Sequence, residues 1–551
     1  LDFTHLFRGF RLAINPAKLA IALLAIFMIY TAGRIFDLCW GMQAAPNEIQ
    51  LFAASKSDEY TRQQRQWIEN RPSALGNLLS ADRDLSLSDQ EALSKDPSAA
   101  YKRLKQFYEK RFENDLKTAA DLRAEGDKSS VPLTPGMPTP AEVERDSRAA
   151  AASRLLGSME HLKDVRGRGI FATFLHFETN QFSRLVDNTL TFVRVTPTRE
   201  TGNFGGGGGG GGGGDAQTVS GGLISLDPDR IWRSDTVAGC LSNMVIIGPR
   251  WLFTGAAPLR SDSGGFVTRN SRRALYLCSL LLFAVFSLIV IAFAGASIAR
   301  LSALELAGIE RAPLKDVFAF AASRLWTFIK SPVAPFLILL ALGLVITLIS
   351  LAGAIPWIGP ILIGIIFIAF IGIAFILMLL LLGILGGFNL LYPTIAVEGA
   401  DSFDAMSRSF AYVYARPWRL IFYTVTSLIY GVITFLFVAF AAYLVLLLTH
   451  TFVGWGMNFF GARYGAYSGS PLLETMWPSP TFLQLIHPIN WYAMSLPEKI
   501  GAGFLHFWVF LVIAGTGAYV VSYYFSTHTI IYLLLRRSVD GQGLKEIFLE
   551  K

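Results

Sequence analysis

Residues 331–397 read SPVAPFLILLALGLVITLISLAGAIPWIGPILIGIIFIAFIGIAFILMLLLLGILGGFNLLYPTIAV, and no Asp, Glu, Lys or Arg interrupts them. A helix advances about 1.5 Å per residue and bilayer hydrocarbon is about 30 Å thick, so one pass takes about 20 apolar residues. The stretch is therefore long enough for two passes. At its centre, Ile355-Pro356-Trp357-Ile358-Gly359-Pro360 sets two prolines and a glycine where a helix must end. This predicts spans at 333–354 and 359–390.

Working outward, residues 274–299, 420–462 and 500–535 are likewise free of Asp, Glu, Lys and Arg. Each is long enough for one pass. With an apolar run near the start, six spans are predicted, at roughly 17–40, 274–299, 333–354, 359–390, 420–449 and 503–535. Composition agrees, because 52% of the 551 residues are hydrophobic and 16% charged, against about a quarter charged in soluble domains. The expected fold is all-α: a polytopic helical membrane protein of about six transmembrane helices with an extracytoplasmic, mainly helical domain.

The first run is ambiguous. Arg8, Arg11 and Lys18 precede an apolar core at 19–33, and Ala44-Ala45 follows, which is also the pattern of a signal peptide. A retained anchor is expected, because Arg34 and Asp37 stand three residues apart and can pair at the far interface. The net charge of +7 forms no basic-aromatic patch and implies no nucleic-acid partner. Its cations sit at span ends: Arg300, Arg311, Lys315, Arg324 and Lys330; Arg408, Arg416 and Arg419; Arg536, Arg537, Lys545 and Lys551. The positive-inside rule makes those ends, and both termini, cytoplasmic in a plasma membrane. Arg269, Arg272 and Arg273 disagree, but long translocated domains largely escape that rule.

Residues 1–40 then hold the cytoplasmic start and first span, 41–200 an extracytoplasmic helical domain, 201–271 a Gly-rich linker and interfacial segment, and 272–551 a five-helix membrane domain. In the outer domain, Tyr101, Leu104, Tyr108 and Phe112 recur at helical spacing, and 140–163 forms a second helix beyond a Pro-rich break. A hairpin or small bundle would bury both stripes. In the amphipathic helix 170–193, Phe171, Phe174, Leu175, Phe182, Leu185, Val186 and Val193 share a face away from Arg184 and Asp187. It either lies in the interface or roofs the spans. The glycine run 205–214 lacks the Lys-Ser/Thr of a phosphate loop and reads as a linker. Residues 223–267 suggest a small β element or interfacial loop, with Trp232 and Trp251 at headgroup depth.

Two segments in the membrane domain resemble one another: ALELAGIERAPLKDVFAFAASRLWTFIKSPVAPFL, from Ala303, and TIAVEGADSFDAMSRSFAYVYARPWRLIFY, from Thr394. Each runs from a small-residue turn with a glutamate into an amphipathic helix, then a basic-aromatic exit with proline and a new span. The first helix sets Leu314, Val317, Phe318, Ala321, Leu325 and Phe328 on one face; the second sets Phe403, Met406, Phe410 and Val413, with Asp401 placed to cap it and Asp404 in its first turn. This predicts a parallel span-helix-span repeat. Arg324, Lys330, Arg408, Arg416 and Arg419 are the candidate contacts to lipid headgroups or the interface. The stretch VEGADSFDAMSRSFAYVYARPWR resembles a motif of a broad family of bacterial multi-pass membrane proteins without assigned function, whose relatives include the membrane domains attached to some glycerophosphodiester phosphodiesterases. The resemblance covers about 270–540 and implies a plasma-membrane helical bundle with no established activity. No phosphodiesterase domain accompanies it, so that chemistry does not transfer.

Catalytic patterns are missing from the sequence: no H-E-x-x-H, G-x-S-x-G, G-x-x-x-x-G-K-[ST] or Cys/His cluster. His176 and Glu178 form H-x-E without the C-x-x-C of a zinc deaminase. Cys39, Cys240 and Cys278 show no pairing pattern. His450, His506 and His528 read as satisfied interfacial or core histidines. Gly383, Gly386, Gly387, Gly515 and Gly517 permit close helix approach, Tyr519, Tyr523 and Tyr524 hydrogen-bond within the bundle, and Trp455, Trp477 and Trp491 fit an aromatic belt. No metal or cofactor is expected. The sequence favours a non-enzymatic scaffold, assembly or envelope-organising factor, with membrane lipids around it and protein partners on its outer domain. A carrier for a lipid or other uncharged molecule is the alternative, because the span centres lack the ionisable groups that proton or sodium coupling needs. A membrane-embedded enzyme comes last.

Overall fold

The structure is a computed structural model and describes residues 2–40, 42–45, 47–54, 57–128, 138–193, 236–255, 266–309, 313–355, 358–459, 461, 463–482, 485, 487 and 489–548. The glycine run 205–214, Trp232, the Pro356-Trp357 pair and the side chains of Arg269, Arg272 and Arg273 lie outside them. The principal helices are α1 (Pro16–Trp40), α2 (Ser57–Leu79), α3 (Pro97–Lys128), α4 (Pro140–Arg166), α5 (Ile170–Val193), α6 (Phe266–Leu306), α7 (Leu314–Ser323), α8 (Leu325–Ser350), α9 (Gly359–Gly387), α10 (Leu391–Glu398), α11 (Ser402–Ala415), α12 (Pro417–Asn458) and α13 (Leu496–Asp540). A minimal antiparallel pairing of Met42–Ala44 with Arg168–Gly169 is the one named sheet among the described residues.

Six helical segments are long and apolar enough to cross a membrane: Pro16–Trp40, Ala274–Leu306, Leu325–Ala354, Ile361–Glu398, Pro417–Asn458 and Leu496–Asp540. Each matches an expected span, and most overrun it. Charge marks where hydrocarbon ends, whereas a helix keeps bonding its own backbone into the interface and stops only at a cap or break. Pro332 and Pro335 lie inside α8. Spans tolerate this where neighbouring groups re-satisfy the freed carbonyls.

The chain divides into two compact units. One comprises Leu1–Thr31, Phe283–Ala442 and Leu511–Lys551. Its core joins Leu390, Val397, Tyr412, Val413, Leu420 and the run Ile530 to Leu535, beside a small-residue seam of Ala292, Ala296, Ala299, Ile395, Ala396 and Ala405 with Phe320 and Phe328. The buried face of α7 is Val317, Phe320 and Ala321, with Leu314 exposed. That of α11 is Ser402, Ala405, Ser409, Phe410, Tyr412 and Val413, while Phe403 stays 62% exposed. Helix α11 is thus rotated from the expected stripe toward its small residues. The rotation lets backbones approach: a Cβ on Gly383 or Gly387 would fall 2.8 Å from the Phe410 ring, and one on Gly386 would fall 2.7 Å from Val413. Gly515 meets nothing within 4 Å. Asp401 stands at the N-cap of α11 but makes no side-chain cap bond, which corrects the expected cap.

The other unit comprises Ala32–Leu282 and Tyr443–Phe510. Helices α3 and α4 form an antiparallel hairpin, since Arg123 pairs with Glu144 at 2.8 Å near one end and Arg166 stacks on Tyr101 at 4.1 Å near the other. Leu104, Tyr108, Leu155, Met159 and Leu162 fill it, joined by Leu75 and Leu79 of α2. The expected stripe is therefore core. Thr139 opens α4 with a capping box, its hydroxyl accepting from the Glu142 amide at 3.3 Å and its amide donating to the Glu142 carboxylate at 2.8 Å. Helix α5 is capped from a distance: Asp37 accepts from the Phe171 and Ala172 amides at 2.7 and 3.0 Å. Phe171, Phe177, Leu185 and Val186 are buried and Arg184 and Asp187 exposed. Residues 236–255 are helical turns against α5 rather than a β element. Trp251 is wholly buried, as is most of Trp477. Burial takes Trp251 from the expected headgroup-depth anchor and Trp477 from the expected aromatic belt, whose other members, Trp455 and Trp491, are exposed.

Candidate functional site

The densest polar constellation of the first unit forms around two glutamates at the ends of spans. Helix α6 closes at Gly308, whose φ of 96° suits glycine. Glu305, in its last turn, accepts from Lys18 Nζ at 3.0 Å and from Asn15 Nδ2. The Lys18 side chain is fully buried and that of Glu305 is 15% exposed. A buried ammonium needs such a partner, because desolvation otherwise removes its charge.

Helix α10 closes at Gly399, with a left-handed φ of 65°. Its last residue, Glu398, accepts from Arg408 Nη1 and from the Tyr532 hydroxyl, and Arg536 Nε lies 3.7 Å away. Arg408 Nε also donates to Asp404 at 3.0 Å. The Tyr412 hydroxyl donates to Asp540, and burial, reinforced by that carboxylate, pushes its pKa far above the ordinary phenol value. Two further arginines serve backbone carbonyls of the same helix end. Arg300 Nη1 donates to Ala396 O at 2.8 Å with its guanidinium 4.3 Å from the Phe320 ring, and Arg324 Nη1 donates to Gly399 O. Cations are favoured there, where the last carbonyls of a helix are unsatisfied.

The segment after α13 completes this corner. Phe548 N donates to Val397 O at 2.8 Å, Arg536 Nη2 donates to Glu546 O at 2.7 Å, and the Phe548 ring occupies the space over Gly399. An open cleft of about 430 Å³ remains, lined by Glu398, Asp404, Arg408, Arg536, Gln542 and Glu546. Arg408 already bonds both Asp404 and Glu398, and Arg536 bonds Gln542 and the Glu546 carbonyl, so the corner ties elements together.

The predicted contacts therefore separate. Arg324 and Arg408 are taken by acceptors within the protein. Lys330 lies 5.2 Å from the Trp326 ring. Arg416 and Arg419 are exposed, and their side chains have no hydrogen bond or ion pair among the described residues. The tyrosines bond as expected: Tyr519 to Thr434 at 2.7 Å, Tyr523 to Ser427 O at 2.7 Å and Tyr524 to Asn389 at 2.6 Å. His506 and His528 bond carbonyls one turn back, and His450 reaches Trp477 O at 3.1 Å and Glu474 at 3.3 Å.

The H-x-E pair of α5 splits. His176 is exposed, whereas Glu178 is half-buried against Gly248, and its Oε1 has no partner among the described residues. Burial pushes the Glu178 carboxyl up to about 7. Among the described residues, no three His, Cys, Asp or Glu side chains gather as a metal site requires. The sequence shows Lys18 and Arg300 only as cations near span ends, and Glu305 and Glu398 only as the glutamate of each repeated turn; the ties they form are visible in the structure alone.

Fold and site together define a multi-pass, all-α membrane protein with charged ties at the ends of its spans. No family model, curated protein or solved structure matches the chain.

Proposed function

We propose that the chain is a non-enzymatic plasma-membrane protein that acts as a scaffold or assembly factor. The observation that supports it is the use made of charge: Glu305 holds Lys18, and Glu398 holds Arg408 and Tyr532 with Arg536 nearby. Charged groups at span ends thus brace distant parts of one chain. In this reading both termini and the two glutamate turns are cytoplasmic, residues 41–271 are extracytoplasmic, and the α3–α4 hairpin presents its charged outer faces to protein partners. Helices α7 and α11 are amphipathic members of a parallel span-helix-span repeat, consistent with the resemblance to the multi-pass family noted above. Mild solubilisation and affinity purification of the full chain should recover stoichiometric partners, lost when the hairpin's exposed charges are reversed. Recovery of a solitary monomer would overturn the proposal.

A second reading, a carrier for a lipid or other uncharged molecule, has one observation in its favour. An open apolar groove of about 450 Å³ runs along Ile500, Gly503, Phe504, Phe507 and Trp508 of α13. Protein-dependent transfer of a fluorescent lipid between reconstituted leaflets would support it, and its absence would remove it.

A further inference from the structure

Both segments that lead into a new span carry an arginine, one intervening residue and a tryptophan: Arg324-Leu325-Trp326 opens α8 and Arg416-Pro417-Trp418 opens α12. The structure treats the two arginines differently. Arg324 turns inward, donating to Gly399 O with its guanidinium 5.5 Å from the Phe320 ring and 5.3 Å from that of Phe548. Arg416 is exposed, as is Arg419 one turn along, and neither side chain has a hydrogen bond or ion pair among the described residues. Trp418, between them, is 81% exposed.

We propose that the Arg416-Pro417-Trp418-Arg419 corner docks anionic phospholipid headgroups, and that the equivalent corner at Arg324 has lost this capacity because its guanidinium holds the end of α10. Such docking requires that α12 enter the bilayer at Pro417, and nothing further from the scaffold reading. Two cations whose side chains are unpaired among the described residues attract acidic lipid at headgroup depth, and an indole flanking them sits at the same depth. Guanidinium also matches phosphate oxygens in pairs, so charge and geometry agree.

The test is native mass spectrometry of the full chain in mild detergent, with phosphatidylglycerol or phosphatidylcholine added at equal concentration. Wild type should retain the anionic lipid preferentially. Arg416→Gln with Arg419→Gln should weaken that retention by up to roughly 30-fold at low salt while leaving phosphatidylcholine unchanged. Arg324→Gln should leave the preference intact, and Arg416→Lys with Arg419→Lys should keep most of it. Equal retention of the two lipids by wild type would overturn the proposal. So would a glutamine pair that keeps the wild-type preference, which would point to an acidic segment of a partner protein as the occupant. Should the glutamine pair not fold, a wild-type preference that stays flat between roughly 50 and 500 mM salt would overturn it equally. Partner recovery is scored on the same variants, so failure here and failure of the scaffold reading are separate results.

Discussion

Lys18 and Glu305 carry the clearest prediction at the scale of single residues. The ammonium is fully buried and its carboxylate partner nearly so, and removing one member of such a pair strands the other charge. Glu305→Leu alone should therefore destabilise the chain by about 3 to 5 kcal/mol and Lys18→Met alone should also destabilise it, whereas Lys18→Met combined with Glu305→Leu should recover most of that loss. Thermal unfolding of the four proteins of this cycle in one detergent measures the coupling; additive effects would show that the pair ties nothing. Glu178 predicts a pH dependence. Its folded pKa, near 7, lies above the ordinary 4.5, so the folded state holds the proton more tightly. The stabilisation is complete below about 4.5 and falls as pH rises through about 7. Glu178→Gln should raise the unfolding temperature at pH 8 and change it little at pH 4. Neither the ion pair nor the burial of Glu178 is legible in the sequence. Lys18 and Glu305 are 287 positions apart, and the orphaned state of Glu178 arises from packing against Gly248.

Elements were read more fully, because hydrocarbon leaves a long and simple signature. The six spans, the α3–α4 hairpin and the start of a new helix at Gly359 are legible from charge spacing, helical period and proline. The faces of short helices are not. Helix α11 buries Ser409 and Ala405 rather than Phe403, since what packs against it is a glycine-lined span, and a stripe of large apolar residues could not reveal that. The short apolar runs of 223–267, broken by glycine and proline, suggest a small β element or an interfacial loop, whereas the described part, 236–255, is helical and packs on α5. Two predictions belong here. Gly386→Leu should cost about 1 to 3 kcal/mol through overpacking against Val413, whereas Gly515→Ala should be neutral or mildly stabilising. Thr139→Ala should remove the capping box of α4 at a cost of about 1 kcal/mol. Unfolding midpoints of the three variants check both, and equal tolerance of Gly386→Leu and Gly515→Ala would contradict the close approach of α9 and α11.

For the whole molecule, six helices long and apolar enough to cross a bilayer join to the proposed sidedness, in which basic span ends face the cytoplasm. The direct measurement is labelling of single cysteines with a membrane-impermeant maleimide, in a chain whose Cys39, Cys240 and Cys278 are replaced. Exposed Ser407 on α11 and exposed Ser153 on α4 are suitable positions. The account predicts that Ser153→Cys labels in intact cells and that Ser407→Cys labels only after the membrane is permeabilised. Labelling of Ser407→Cys from outside, or of both positions from one side, would contradict it.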